Sequence, residues 1–218
     1  MSKSKGQLVG LFIVIATGVP DFLAGWRYRR IVLVISAGLL LSILMIVTRL
    51  QIQHWHNGVT LFKHSLDVTA NNSLSQNGLG VALARRGKSR EAIVHYAEAL
   101  RINPHFADAH NNLGNVLVRQ GKYQEAIAHY GQALRIKPYY AEAYGNLGNS
   151  LAEQGRIQEA IVDYTKALRI NPDFAEAHFF LGLAYLMIGN RDSALEEHKI
   201  LKTINPNLAN TLSHKIFK

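Results

Sequence analysis

Cysteine is absent from the 218 residues. That excludes disulfide staples, thiolate nucleophiles and cysteine-ligated metal centres, and leaves the redox compartment open. No GxSxG, HExxH or phosphate-loop pattern occurs either, so no nucleophile elbow, zincin helix or nucleotide cradle is offered. A basic stripe is also missing. The chain carries a net charge of +9, yet residues 73–206 hold fifteen Lys and Arg against thirteen Asp and Glu. Residues 1–72 hold seven against two, and Lys215 and Lys218 complete the surplus. A nearly neutral middle has nothing to follow a phosphate backbone, which argues against nucleic acid as a partner. The surplus lies around apolar segments, where juxtamembrane bases are expected.

What the first third does have is apolar length. Residues 31–48, IVLVISAGLLLSILMIVT, carry no charge. At ~1.5 Å per residue such a run spans about 27 Å, close to a bilayer core. Arg29 and Arg30 precede it and Arg49 follows, as interfacial anchors. An earlier apolar segment covers about residues 7–25, interrupted by Pro20 and Asp21. It fits a second spanning helix, a re-entrant segment or a remnant of a longer membrane domain, with Asp21 read as an interfacial acid beside Trp26 and the arginines. Residues 1–50 therefore form a membrane region with one or two transmembrane helices. Positive charges do not orient it, because Lys3, Lys5, Arg49 and Lys63 balance Arg27, Arg29 and Arg30.

From Ser73 onward the sequence repeats every 34 residues. Leu-Gly recurs at 79–80, 113–114, 147–148 and 181–182, and a second glycine at 87, 121, 155 and 189. Alanine recurs at 92, 126, 160 and 194, and proline at 104, 138, 172 and 206. Each column has a physical reason. The first glycine and the alanine let two helices approach closely. The second glycine ends the first helix, since a left-handed residue costs glycine nothing. Proline stops the second helix from continuing. Apolar residues such as Leu113, Leu117, Ile127, Tyr130 and Leu134 fall at helical spacing and form a shared core. One such helix pair cannot bury its face alone, so neighbouring pairs must stack.

The unit AEAYGNLGNSLAEQGRIQEAIVDYTKALRINP resembles the tetratricopeptide repeat (TPR) along most of its length. The resemblance implies an all-α TPR solenoid of four repeats, about residues 73–106, 107–140, 141–174 and 175–208. The last unit departs most, with Ser193, His198 and Leu201 where the others have Glu, Tyr and Ala. Counting back by the same period places Gly58 in the alanine column and Phe62 in the tyrosine column, so residues 51–72 read as a linker and a lone capping helix at about 55–69. Residues 207–218 read as a C-terminal tail.

In this family helix A of each repeat lines the concave face. The resemblance implies inward positions at Asn77; at Asp108, Asn111, Asn112, Asn115 and Arg119; and at Glu142, Asn146, Asn149 and Glu153. An asparagine-lined groove offers donors and acceptors without net charge, suited to an extended peptide backbone. It resembles the asparagine ladder of the TPR domain in O-linked N-acetylglucosamine transferases. Asparagine is also simply frequent at these positions, and the residues alone do not choose between the two. Asn77, Asp108 and Glu142 stand where carboxylate-gripping TPR co-chaperones carry bases, which argues against that ligand. The outer, helix-B face is expected around His95, His129 and Asp163.

Neither catalysis, nor a cofactor, nor a metal site is indicated. His110 and His178 share one column, and His95 and His129 another. Same-column residues lie roughly a repeat apart, too far to share an ion at ~2.0–2.1 Å. Glu91, Glu125 and Glu159 begin helix B, where acids favour the helix dipole.

The string GVPDFLAGWRYRR, an apolar helix, and then WHNGVTLFKHSLDVTANN leading into the repeats resembles a second arrangement. It is similar to the C-terminal region of bacterial GT-C-type membrane glycosyltransferases joined to TPRs, and to the transmembrane-and-TPR O-mannosyltransferases. This resemblance implies the tail of such a protein, or a chain working with a separate membrane glycosyltransferase. It also implies a bacterial inner-membrane location with periplasmic repeats. The expected function is a membrane-anchored interaction module that captures a protein or peptide beside the bilayer. The alternative is an accessory, substrate-presenting part of a glycosyltransferase whose catalytic domain lies elsewhere.

Overall fold

The computed structural model describes residues 29–55, 58–68 and 72–217, which contain eleven helices and no strand. The expected apolar segment at 7–25, with Asp21, lies outside the described residues. The chain divides into two units, Met1–His56 and Asn57–Lys218.

In the first unit, α1 runs from Arg29 to Trp55, 27 residues. Its described side chains are those of residues 34–48, and all of them are exposed, Val34 and Met45 to 71% and 70%. The two hydroxyls described in hydrogen bonds turn inward on the helix itself. Ser42 Oγ donates to the Gly38 carbonyl at 2.8 Å and Thr48 Oγ1 to the Leu44 carbonyl at 2.7 Å. Each satisfies its own polarity without water. Among the described residues no helix is long and apolar enough to cross a membrane.

The second unit begins with α2 (Gly58–Val68), which packs on α3 (Ser73–Arg85). Val59 is buried, and Phe62 and Leu66 join the core. A helix thus lies near the expected 55–69, but over Gly58–Val68, with Trp55 ending α1 instead. Four pairs follow: α3 with α4 (Ser89–Ile102), α5 (Ala107–Val118) with α6 (Tyr123–Ile136), α7 (Ala141–Glu153) with α8 (Ile157–Ile170), and α9 (Ala175–Met187) with α10 (Arg191–Ile204).

The columns act as their chemistry requires. Gly87, Gly121, Gly155 and Gly189 have φ of 76°, 74°, 75° and 78°, so each reverses the chain between helices A and B. Ala92, Ala126, Ala160 and Ala194 are wholly buried. A Cβ at Gly114 would lie 2.6 Å from the Tyr130 ring, and one at Gly148 would lie 2.7 Å from Tyr164. The glycine is thus the seat of an aromatic side chain from helix B of its own repeat.

Residues 207–218, expected as a tail, carry an eleventh helix, α11 (Pro206–Ile216). Asn205 caps it, its side chain accepting from the Leu208 amide at 3.3 Å, and Pro206 occupies the first turn. α11 packs on α9 and α10 and buries Ala209, Leu212 and Ile216. The fourth repeat has His198 in place of the column tyrosine, and Leu212 fills that place: a Cβ at Gly182 would meet Leu212 Cδ2 at 2.6 Å. The helix closes the apolar end that a stacked repeat would otherwise leave open.

Candidate functional site

Successive A helices touch one another: α3 meets α5, α5 meets α7, and α7 meets α9. Successive B helices make no comparable contact among the described residues. The stack therefore closes on the A side, which makes the A helices its inner surface, as expected.

The polar residues expected there divide into two sets. Asn77 and Asn111 are buried rather than open to a ligand. Asn112 Nδ2 donates to Asn77 Oδ1 at 3.1 Å, and Asn146 Nδ2 donates to Asn111 Oδ1 at 3.0 Å. These four amides clamp the first repeat to the second and the second to the third. Arg119 does similar service, its Nη1 donating to the Ala84 carbonyl at 3.1 Å.

Asn115 and Asn149 belong to the second set. The buried Tyr130 hydroxyl donates to Asn115 Oδ1 at 2.7 Å, and Tyr164 does the same to Asn149 at 2.7 Å. With the carbonyl oxygen held by a phenol, the half-buried amide presents its NH₂ as the free donor. Burial raises all three column phenols, Tyr96 to about 12, so they remain protonated donors at neutral pH.

The acids are exposed: Asp108 and Glu142 in the first turns of α5 and α7, and Glu153 at the C-terminal end of α7. Tyr140 lies near the first two. Burial, and then the Asp108 charge, raise its hydroxyl further.

Two adjoining cavities open on this surface. One, about 240 Å³, is lined by Val118, Tyr123, Asn149, Ala152, Glu153, Tyr164 and Phe180. The other, about 280 Å³, shares Ala152, Glu153, Tyr164 and Phe180 and adds Leu183, Ala184 and Met187. Sequence reasoning selected only polar positions and missed this apolar end. A signal was present: Phe180 occupies the column of Asn112 and Asn146, and Gly145 the column of Asn77 and Asn111. The amide clamp is absent there: Phe180 stands in place of the donor, and Gly145, buried against the Phe174 ring, in place of the acceptor.

Of the positions expected on the outer face, His95 and His129 turn back toward helix A, whereas Asp163 pairs within its own helix. His95 Nδ1 meets Gln76 Oε1 at 2.8 Å, and Asp163 is buried and pairs with Lys166 at 2.9 Å. His129 Nδ1 lies 3.0 Å from His110 Nδ1, a contact between columns rather than within one. In the fourth repeat the corresponding pair is His178 and Glu197, at 2.5 Å. No group of three or more His, Asp or Glu able to hold a metal ion occurs among the described residues.

Known proteins match the repeats. Family models described as tetratricopeptide repeat match residues 105–173 and 151–210, and one described as TPR repeat matches 80–121. No curated protein matches in sequence. Among solved structures, MamA is 27% identical with a TM-score of 0.60, covering 72% of this chain and 87% of its own. Pseudomonas aeruginosa PilF is 28% identical with a TM-score of 0.59, covering 66% and 68%. YrrB, described as a TPR protein with an unusual peptide-binding site, is 23% identical with a TM-score of 0.60, covering 79% and 88%. At that identity YrrB supports the fold alone. The chain is a tetratricopeptide-repeat protein, its matched repeats running from residue 80 to residue 210.

Proposed function

We propose that this chain is a membrane-anchored interaction module whose groove, on the inner face of the repeats, captures an extended segment of another protein. The observation that carries the capture is the pair Asn115 and Asn149. Each amide is half-buried, and each has its carbonyl oxygen held by a phenol, which leaves its NH₂ free to donate. The two stand 34 residues apart, one repeat, and so form a row of like donors. A repeating row of amides matches the repeating carbonyls of a peptide backbone. Contacts of that kind give broad specificity and modest affinity. YrrB, with its described peptide-binding site, is a precedent for a peptide on this fold.

The anchor rests on the uncharged run at 31–48 and on the exposure of every described apolar side chain from 34 to 48. Such a surface calls for a non-aqueous cover. The likeness of residues 7–72 to the junction of membrane-and-TPR glycosyltransferases supports repeats on the periplasmic side of a bacterial inner membrane. Two measurements test the function together. The intact chain should stay with membranes through high salt and alkaline carbonate; release by salt alone contradicts the anchor. Changing Asn115 and Asn149 together to Ala should weaken capture of a crosslinked partner about tenfold while helicity is kept; unchanged capture contradicts the groove.

A second reading, an accessory part of a membrane glycosyltransferase, rests on the likeness of residues 7–72 to the junction in such enzymes. Recovery of a multi-span glycosyltransferase with the chain from mild-detergent extracts supports it, and recovery of none argues against it.

A further inference from the structure

Position for position, the end of helix A changes character along the stack: Arg85, Arg119, Glu153, Met187. The two arginines suit their places. A base near a helix C-terminus complements the dipole, and Arg119 also caps a carbonyl of the preceding repeat. Glu153 is the reverse. It is the last residue of α7, where the dipole disfavours an acid. It also makes no ion pair among the described residues. Glu91, Glu98, Glu125, Glu159 and Glu196 each find a base three residues away. An uncompensated acid that breaks a local rule points to a use outside the fold.

Its surroundings say what that use is. Glu153 stands in the wall shared by the two cavities, beside Phe180 and Tyr164, whose rings stack with centroids 6.2 Å apart. Met187, 65% exposed, forms the rim of one cavity and Val118 part of the lining of the other. The site is thus two apolar compartments joined at a free carboxylate.

We infer that this end of the groove is a subsite for an extended peptide in which an apolar or aromatic side chain adjoins a lysine or arginine. The apolar side chain fills a compartment, the cation meets Glu153, and the Asn149 amide donates to the peptide backbone. The long aliphatic stem of Lys or Arg lies along apolar surface while its head reaches the acid. This inference rests on the groove reading above and narrows it to one partner chemistry.

The test is selection from a displayed library of random decapeptides on the full chain in detergent micelles. The enriched peptides should pair an apolar residue with an adjacent Lys or Arg. Glu153→Gln should weaken them about tenfold and erase their preference over the matching Glu-containing peptides. Met187→Ser, at the rim, should weaken them severalfold without altering the charge preference. Peptides that lose affinity with the Asn115 and Asn149 variants but show no basic residue, or ignore Glu153→Gln, overturn the subsite and leave the groove reading standing. Peptides indifferent to every groove variant, or no enrichment at all, overturn both.

Discussion

The second and fourth repeats place a histidine at the same point of helix A and answer it from helix B with different chemistry. His110 and His178 each turn Nε2 to the carbonyl of the proline six residues earlier, at 3.2 Å and 2.8 Å. That N–H is donated, so in a neutral ring Nδ1 must accept. Against His110, His129 supplies the proton, and both rings stay neutral. Burial lowers both, aided at His129 by the neighbouring imidazole. Against His178 stands the carboxylate of Glu197, which asks Nδ1 to donate as well. Burial there also pushes down, but the hydrogen bonds to Glu197 and to the Pro172 carbonyl and the Glu197 and Asp173 charges outweigh it, and His178 is raised. The scaffold sets where the pair lies, and the partner sets its charge. The same two repeats differ at the core and in the groove: Tyr130 against Leu212, and Asn112 against Phe180.

The largest expected effect sharpens the core contrast. The second repeat fills its glycine seat from within, whereas the fourth borrows Leu212 from α11. Leu212→Ala should cost about 2–5 kcal/mol, because it empties a fully buried site. Urea unfolding of the full chain in detergent, followed by circular dichroism, measures it. A loss below about 1 kcal/mol would show that α11 is not part of the core.

Gly114→Leu comes next. It forces a large side chain into the Tyr130 ring and should cost ~1–3 kcal/mol or more in the same measurement. Gly182→Leu should cost less, since what it meets first is the end of the flexible Leu212 side chain. Equal losses would break the comparison.

Asn112→Ala removes an inter-repeat clamp and leaves Asn77 Oδ1 buried without its donor, at a cost of ~1–3 kcal/mol. The fourth repeat has no such clamp, so Phe180→Leu should cost less, about 1 kcal/mol from its stacking and partial burial, while altering peptide selection.

The smallest effect is the dependence on pH. His178 is raised in the folded state, so its stabilisation is full below about 6.5 and is lost as pH rises from there through the folded value. His110 and His129 are lowered, so theirs is full above about 6.5 and is lost as pH falls toward their folded values. Glu197→Gln should therefore flatten the decline of stability on the alkaline side. The same urea titrations, run from pH 5 to pH 8, read both limbs.

The all-α array was legible because its determinants are local and repeat. Gly121 needs a left-handed backbone, Ala126 needs contact without bulk, and both needs recur every 34 residues. What escaped depends on the angle between repeats. The clamp from Asn112 to Asn77 crosses 35 residues and joins two different columns, so column-by-column reading places both amides in the groove instead. The contact of His110 with His129 joins helix A to helix B in the same way. α11 had a readable start in Asn205 and Pro206, but the same proline closes helix B in the other repeats, and that role hid the cap. The apolar cavities escaped because the search for a groove looked for hydrogen-bonding side chains, and Phe180 and Met187 have none.

Crosslinking in the native membrane shows whether the inner face of the repeats is the working surface. A photoreactive side chain would be placed in the full chain at Glu153 in the groove, or at Val94 or Val162, which are 64% and 52% exposed on the B helices. A discrete protein adduct is expected from position 153 and none from 94 or 162. Adducts from 94 and 162 with none from 153 would contradict that expectation and move the function to the outer surface.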